Sequence, residues 1–141
     1  MADPVRPASS HAMAVASTAL RAQQARMRVI AENIANANST SPVKGGDPYR
    51  RQVPVFEAQR LGDGVEGVRM SRIVPDQRDF KSEYDPGHPA ADAQGYVKTP
   101  NVDTLVEALD MRQAQRAYEA NLNVIETARA MEVRTLELLK R

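Results

Sequence analysis

The stretch "MRQAQRAYEANLNVIETARAMEVRTLELL", residues 111–139, contains no glycine or proline and sets its apolar side chains at helical spacing. Met111, Ala114, Tyr118, Leu122, Ile125, Val133, Leu136 and Leu139 make one stripe, and Ala117, Val124, Met131 and Leu138 make a second beside it. Nothing after Pro100 breaks a helix, so a helix of about 39 residues is expected, roughly 58 Å long. That is longer than a small domain is wide. Thr99 or Asn101 is the expected cap, with Pro100 suited to a first helical position and Asp103 in the first turn, where the helix dipole favours negative charge.

A second breaker-free segment lies at the other end, over residues 8–41. There Met13, Ala16, Leu20, Gln23, Met27, Ile30, Ile34 and Ala37 alternate steps of three and four, the seam of another helix. Ser9 or Ser10 is placed to cap its start, and the asparagines of "NANST" tolerate the left-handed conformation at its end. All 7 glycines fall between Gly45 and Gly95. In that middle, "YRRQVPVFEA" sets Val53 and Val55 on one face with Pro54 between them, which suits an edge strand. "GVRMSRIV" turns Val68, Met70 and Val74 one way and Arg69 and Ser71 the other. "LGDGVEG" reads as a hairpin turn and "FKSEY" as a further short strand. The expectation is an α+β chain: an N-terminal helix within residues 1–40, a small β-rich domain of about three strands plus a connector over 41–98, and a long C-terminal helix over 99–141.

Composition removes whole classes of function. A chain of 141 residues is one domain's worth. It has 2 histidines, His11 and His88, and 0 cysteines, so a zinc site or thiol chemistry lacks most of its ligands. The net charge is +1 with no run of like charge, and aromatics are few, which argues against nucleic acid as a partner. No segment approaches the ~18 consecutive apolar residues of a membrane-spanning helix. Arg6 followed by "AMAVASTAL" is leader-like, but the stretch is mostly alanine and its periodicity runs unbroken into the helix behind it, so no cleaved signal peptide is expected. No cofactor is expected.

One constellation invites a catalytic reading. In "EYDPGHPAADAQGYVKTPNVDTL", residues 83–105, Asp85, His88 and Asp92 are spaced to share a metal ion or a water, as a hydrolase would need. No second histidine or cysteine completes a shell, and two prolines and a glycine fix the backbone. The competing expectation is a structural connector: Pro86-Gly87 makes a tight turn with glycine at a positive φ, "QGYVKTP" returns extended to Pro100 and Asn101, and Tyr84 and Tyr96 pack against the long helix.

The two helices pose a burial problem. The first can cover one stripe of the second, but the other stripe stays exposed in a monomer. Either the pair is an ordinary helical hairpin with a methionine- and alanine-rich core, or the leftover stripe belongs to a neighbouring copy. Asn33, Asn36 and Asn38 divide in the same way, between ending a helix and, for Asn33 and Asn36 on one face, bonding across subunits to fix register.

"AENIANANST", "YDPGHPAADAQGYVKTPNVD" and "YEANLNVIETARAMEVRTLELL", in that order and spacing, resemble the flagellar basal-body rod proteins of the FlgC family, within the wider axial family of rod, hook and hook-associated proteins. The resemblance spans residues 12–139. It implies a non-enzymatic subunit of the proximal rod, exported through the flagellar type III apparatus. Its terminal helices would pair as a coiled-coil inner domain, with the β-rich middle outside. Implied partners are other copies, other rod proteins, the export apparatus, and the rod base with its MS-ring-proximal adaptor. The expected subunit interface comprises Leu20, Met27, Ile30, Asn33, Ile34, Asn36, Tyr118, Leu122, Val124, Ile125, Met131, Leu136 and Leu138. The rival reading without the resemblance is a soluble helical-hairpin adaptor that binds a partner helix.

Overall fold

A computed structural model describes residues 7–141; Arg6 and the rest of the first six positions lie outside the described residues. Helix α1 (Ala8–Ala35) is followed by strands β1 (Gln52–Gly62), β2 (Val65–Pro75), β3 (Lys81–Tyr84) and β4 (Tyr96–Thr99), and by helix α2 (Thr104–Leu139). The class is α+β. Instead of one sheet of three strands there are two ribbons of two, β1 with β2 and β3 with β4. The fourth strand comes from the segment read as a connector, which pairs antiparallel with β3 so that Tyr84 faces Tyr96. The β1–β2 turn is carried by Asp63 and Gly64, both at positive φ (53° and 73°), the left-handed pair that a two-residue hairpin loop needs.

The helix ends differ from the expected caps. Ser9 does not cap α1, since the Pro7 carbonyl receives the first helical N–H groups and the Ser9 hydroxyl donates to Glu132 Oε1 at 3.1 Å. Nor does α1 close through a left-handed asparagine. Asn36 donates its side-chain amide to the Glu32 carbonyl (2.8 Å) and Ser39 donates its hydroxyl to the Asn36 carbonyl (2.9 Å). The cap of α2 is Asp103, whose Oδ1 accepts from the Leu105 and Val106 N–H groups at 3.0 and 3.4 Å. Thr99 closes β4 instead, and Asn101 is spent on another network.

Two compact units share these elements, one holding the chain up to Arg26 with Phe56–Ser71 and Gln113–Arg141, the other Met27–Val55 with Arg72–Arg112. In the first unit α1 meets α2 antiparallel: Ser9 bonds Glu132 near one end and Arg26 donates to Gln113 (3.1 Å) near the other. On another side α1 meets β2. Thr18 donates its hydroxyl to the Val15 carbonyl (2.7 Å) and accepts from the Val68 N–H (3.1 Å), tying helix to strand. This approach requires glycine next door, because a Cβ on Gly67 would stand 2.3 Å from Thr18 Oγ1.

The second unit is held by polar clamps as much as by its small apolar cluster of Ala90, Ala91 and Val97. Asn33, 1 % exposed, acts on β1 as a strand partner would: its Oδ1 accepts from the Gln52 N–H and its Nδ2 donates to the Gln52 carbonyl, both at 2.9 Å, while the Tyr49 hydroxyl donates to Oδ1 at 2.7 Å. Arg51 reaches three carboxylates, Glu107 through Nε, Asp76 at 3.2 Å and Asp110 at 3.7 Å. Glu107 is fully buried at 0 % exposure. Asn101 accepts from the Arg51 N–H (2.8 Å) and donates to the Asp76 and Arg78 carbonyls, which also accept from Arg50. Arg50 in turn lies over the Phe80 ring, 4.2 Å from its centre.

The Arg78 side chain, with help from its backbone N–H and from Arg51, holds the Asp76 carboxyl well below the usual carboxylate range despite the opposing effect of burial. Burial would lower the Arg51 pKa, but its bonds to Glu107 and Asp76 outweigh that and raise it.

Three measurements test these clamps. Arg51→Ala strands Glu107 without its counter-charge and is expected to cost roughly 3–5 kcal/mol in urea unfolding, most of it recovered in the double variant Arg51→Met with Glu107→Leu. A loss below about 1 kcal/mol would show that the pair is not an anchor. A depressed native carboxyl pKa gives stability that is present above the unfolded value of about 3.9 and lost as pH falls through the native one. The wild-type unfolding free energy should therefore fall between about pH 5 and pH 2 more steeply than that of Asp76→Asn. Gly67→Ala is expected to cost about 1–3 kcal/mol, and less in a Thr18→Ala background where the obstructing hydroxyl and methyl are gone; equal costs in both backgrounds would place the clash elsewhere.

Candidate subunit interface

The side chains of α2 that are not exposed between Gln113 and Leu139 fall on Ala114, Tyr118, Asn121, Ile125, Ala128 and Glu132, steps of four and three, with Ala117 beside them. This is a narrow seam of heptad spacing. It departs from the expected stripe after Tyr118: Leu122, Val133, Leu136 and Leu139 are exposed, and Asn121, Ala128 and Glu132 take the inner positions. The reason is the size and bonding of what sits there. Ala114 and Ala128 are buried, as are Ala16 and Ala22 of α1, so the close contacts are made by small side chains. The two polar members are satisfied, Asn121 by the Ala117 carbonyl at 2.8 Å within its own helix and Glu132 by Ser9 of α1.

Large apolar side chains are consequently left on both flanks. At about 100° per residue, Leu122, Val133 and Leu136 lie on one side of the seam and Val124, Met131 and Leu138 on the other, with Leu139 beyond its end. Leu138 is 70 % and Leu139 78 % exposed. All seven are large apolar side chains left exposed. Val124 and Met131 also line an apolar groove of ≈ 400 Å³ with Ala8, Ala12 and Ala128.

The remaining expected interface residues divide. Ile34 is exposed, and Leu20, Met27 and Asn36 are half-buried. Ile30 and Asn33 are buried within their unit, and Asn33 spends its whole amide on Tyr49 and Gln52. Tyr118 and Ile125 sit half-buried in the seam. Leu105, Val106 and Leu109, absent from the expected set, form an exposed apolar patch at the start of α2. Their spacing in "TLVEALD" on an amphipathic helix is a signal that could have found them.

The connector is a hairpin with a wide loop. Tyr84 and Tyr96 pack edge-on against each other, 5.3 Å between centroids, and not against the long helix. The positive φ falls at Gly95 (+87°) and not at Gly87; a Cβ on Gly95 would stand 2.9 Å from the Tyr84 ring. Pro86 and Gly87 are exposed, whereas Pro100 is fully buried. The suspected triad is occupied with backbone. His88 Nδ1 accepts from the Ala90 N–H (3.0 Å), and Asp92 Oδ1 accepts from the Gln94 and Tyr96 N–H groups (2.9 Å each). Asp85 and His88 do line a cleft of ≈ 440 Å³, together with Lys81, Glu83 and Asp103. Among the described residues no cluster is arranged to hold a metal ion, and no helix is long and apolar enough to cross a membrane.

Residues 13–41 match the family model described as flagella basal body rod protein, and residues 93–138 match the C-terminal model of the flagellar basal body rod FlgEFG proteins. Over 139 residues the chain is 46 % identical to the flagellar basal-body rod protein FlgC of Agrobacterium fabrum, covering 98 % of this chain and 97 % of that one. It is 42 % identical to FlgC of Salmonella typhimurium, over 88 % of this chain and 92 % of the relative. FlgC of Bacillus subtilis is 36 % identical over 92 % of this chain and 97 % of its own length. Resemblance at this level over nearly the whole of each chain, with a rod-protein match on each terminal helix, means that the chain belongs to the FlgC family of flagellar basal-body rod proteins.

Proposed function

We propose that this rod subunit is exported by the flagellar type III apparatus without a cleaved signal peptide. It then polymerises through its terminal helices into the proximal, periplasm-spanning part of the drive shaft. The observation that carries the reading is the pair of apolar flanks on α2, which no part of the described chain covers. Two flanks on opposite sides of one seam suit a helical array, where each subunit meets different neighbours on its different faces. Its partners in that array are copies of itself, other rod proteins, and at the base the MS-ring-proximal adaptor. Membership of a family of structural rod proteins leaves a hydrolase without support, and nothing in the exposed helix faces favours a soluble adaptor over a polymer.

The reading predicts a separation of folding from assembly. Val133→Glu with Leu136→Glu on one flank, and Met131→Glu with Leu138→Glu on the other, alter exposed positions and should each change unfolding free energy by no more than about 1 kcal/mol. Both variants should be exported yet missing from isolated basal bodies, with motility lost. Normal incorporation of both would leave the flanks without a role in assembly.

A further inference from the structure

The loop between β3 and β4 is held by two side chains of different acid–base character. Asp92 Oδ1 accepts from the Gln94 and Tyr96 N–H groups and fixes the half that leads into β4. His88 fixes the other half. Its Nδ1 accepts from the Ala90 N–H at 3.0 Å, and its carbonyl accepts from the Ala91 N–H at 3.0 Å. Pro89 has no N–H, so the Ala90 amide is the first donor that follows His88 in the chain. Ala90 is 3 % exposed and belongs to the small apolar cluster with Ala91 and Val97, and its carbonyl accepts from the Gly45 N–H at 3.1 Å. That last bond draws the chain ahead of β1 against the loop, where a Cβ on Gly45 would stand 3.5 Å from Asp92 Cβ. One residue, Ala90, therefore joins the His88 ring, the apolar cluster and the segment before β1.

An imidazole nitrogen accepts a hydrogen bond only while it carries no proton, because the imidazolium is a donor at both nitrogens. A carboxylate has no such limit in the neutral range. We propose that His88 makes this loop a proton-operated latch: the neutral ring holds the Ala90 amide, and a proton taken from solvent onto Nδ1 releases it. Release loosens residues 88–91 together with the segment at Gly45 that is bonded to the Ala90 carbonyl. The inference goes beyond the rod reading and does not draw on it. The surroundings give the charged ring a place to turn. His88 is half-buried between two clefts, one bordered by Lys81, Glu83, Asp85 and Asp103, the other by Lys44 and Asp92. Carboxylates therefore outnumber amines around the ring, and Lys81 is already donating to the Val102 carbonyl at 3.3 Å. The amide left behind is buried and has lost its acceptor, so the closed packing around Ala90 is no longer favoured.

Amide exchange followed by NMR on the full-length, 15N-labelled monomer tests the latch between about pH 8 and about pH 5, the range in which an imidazole ordinarily changes charge. The His88 ring signals are identified as those missing from His88→Asn. At the upper pH the ring nitrogen shifts should report a bare Nδ1 with the proton on Nε2. As the His88 ring titrates, the Ala90 and Gly45 amide shifts should move with it, and their protection, corrected for intrinsic exchange, should fall by about tenfold or more. Tyr96, held by Asp92, should keep its protection. An asparagine at the position can accept from the N–H two residues on without titrating, so His88→Asn should protect Ala90 equally at both ends of the range. His88→Ala should leave it unprotected throughout. A ring that titrates without any change at Ala90, a ring that stays neutral across the range, or the same acid-dependent loss in His88→Asn would each overturn the latch.

Discussion

Arg51 is the point on which one half of the molecule turns. Its backbone N–H is held by Asn101 and its guanidinium by Glu107, Asp76 and Asp110, so one residue ties the start of β1, the loop after β2 and the first turns of α2. A network of this kind is weak evidence for high stability, because removing charges from water costs nearly what their attraction returns. What it does supply is geometry. The apolar cluster nearby consists of two alanines and a valine, which could pack in several arrangements. The fork of an arginine, a bidentate asparagine at Asn33 and a two-donor amide at Asn101 accept few alternatives. The starts of β1 and α2 and the loop after β2 are therefore placed by hydrogen bonds.

The other half is governed by side-chain size. A seam of alanines lets α1 and α2 approach closely, and that closeness leaves no room for leucine, so the bulky residues are directed outward. An isolated chain built this way buries little apolar surface along the last three turns of α2, and helices draw most of their stability from packing. The flanks that α1 does not cover are left to solvent in the single chain. Under the proposed assembly, that uncovered surface is what a rod protein of the FlgC family would offer to its neighbours.

Much of this was legible in the sequence, and the failures share a cause. The two helices, the hairpin at Asp63-Gly64 and the surplus of apolar stripe all follow from breaker placement and periodicity. The seam departs from the expected stripe after Tyr118 because periodicity ranks positions by apolarity, whereas the inner row takes Asn121 and Glu132, which find hydrogen-bond partners, over Leu122 and Val133. For Asn33 the sequence leaves open a helix end or a contact across subunits, since nothing local in "AENIANANST" announces a bond to Gln52, nineteen positions on. Gly67 was read as part of a turn. Only the position of Thr18 on a facing helix shows that it is a gap left for a side chain. For Glu132, Asn33 and Gly67 the deciding partner is remote in sequence, and no window of eleven to eighteen residues contains it.

The segment that looked catalytic illustrates how charge acquires a role from what surrounds it. Asp85, His88 and Asp92 lie in a loop whose backbone amides claim His88 Nδ1 and Asp92 Oδ1, so two of the three side chains shape the loop that carries them. Asp85 is left over, exposed beside Glu83 and Asp103 at an open cleft and without an ion-pair partner among the described residues. A catalytic carboxylate needs such a partner or a desolvated site, whereas an interface carboxylate needs solvent access and a cation arriving from elsewhere. The cleft meets the second set of conditions. An exposed acidic cleft of this kind fits a surface open to a partner better than it fits a catalytic pocket.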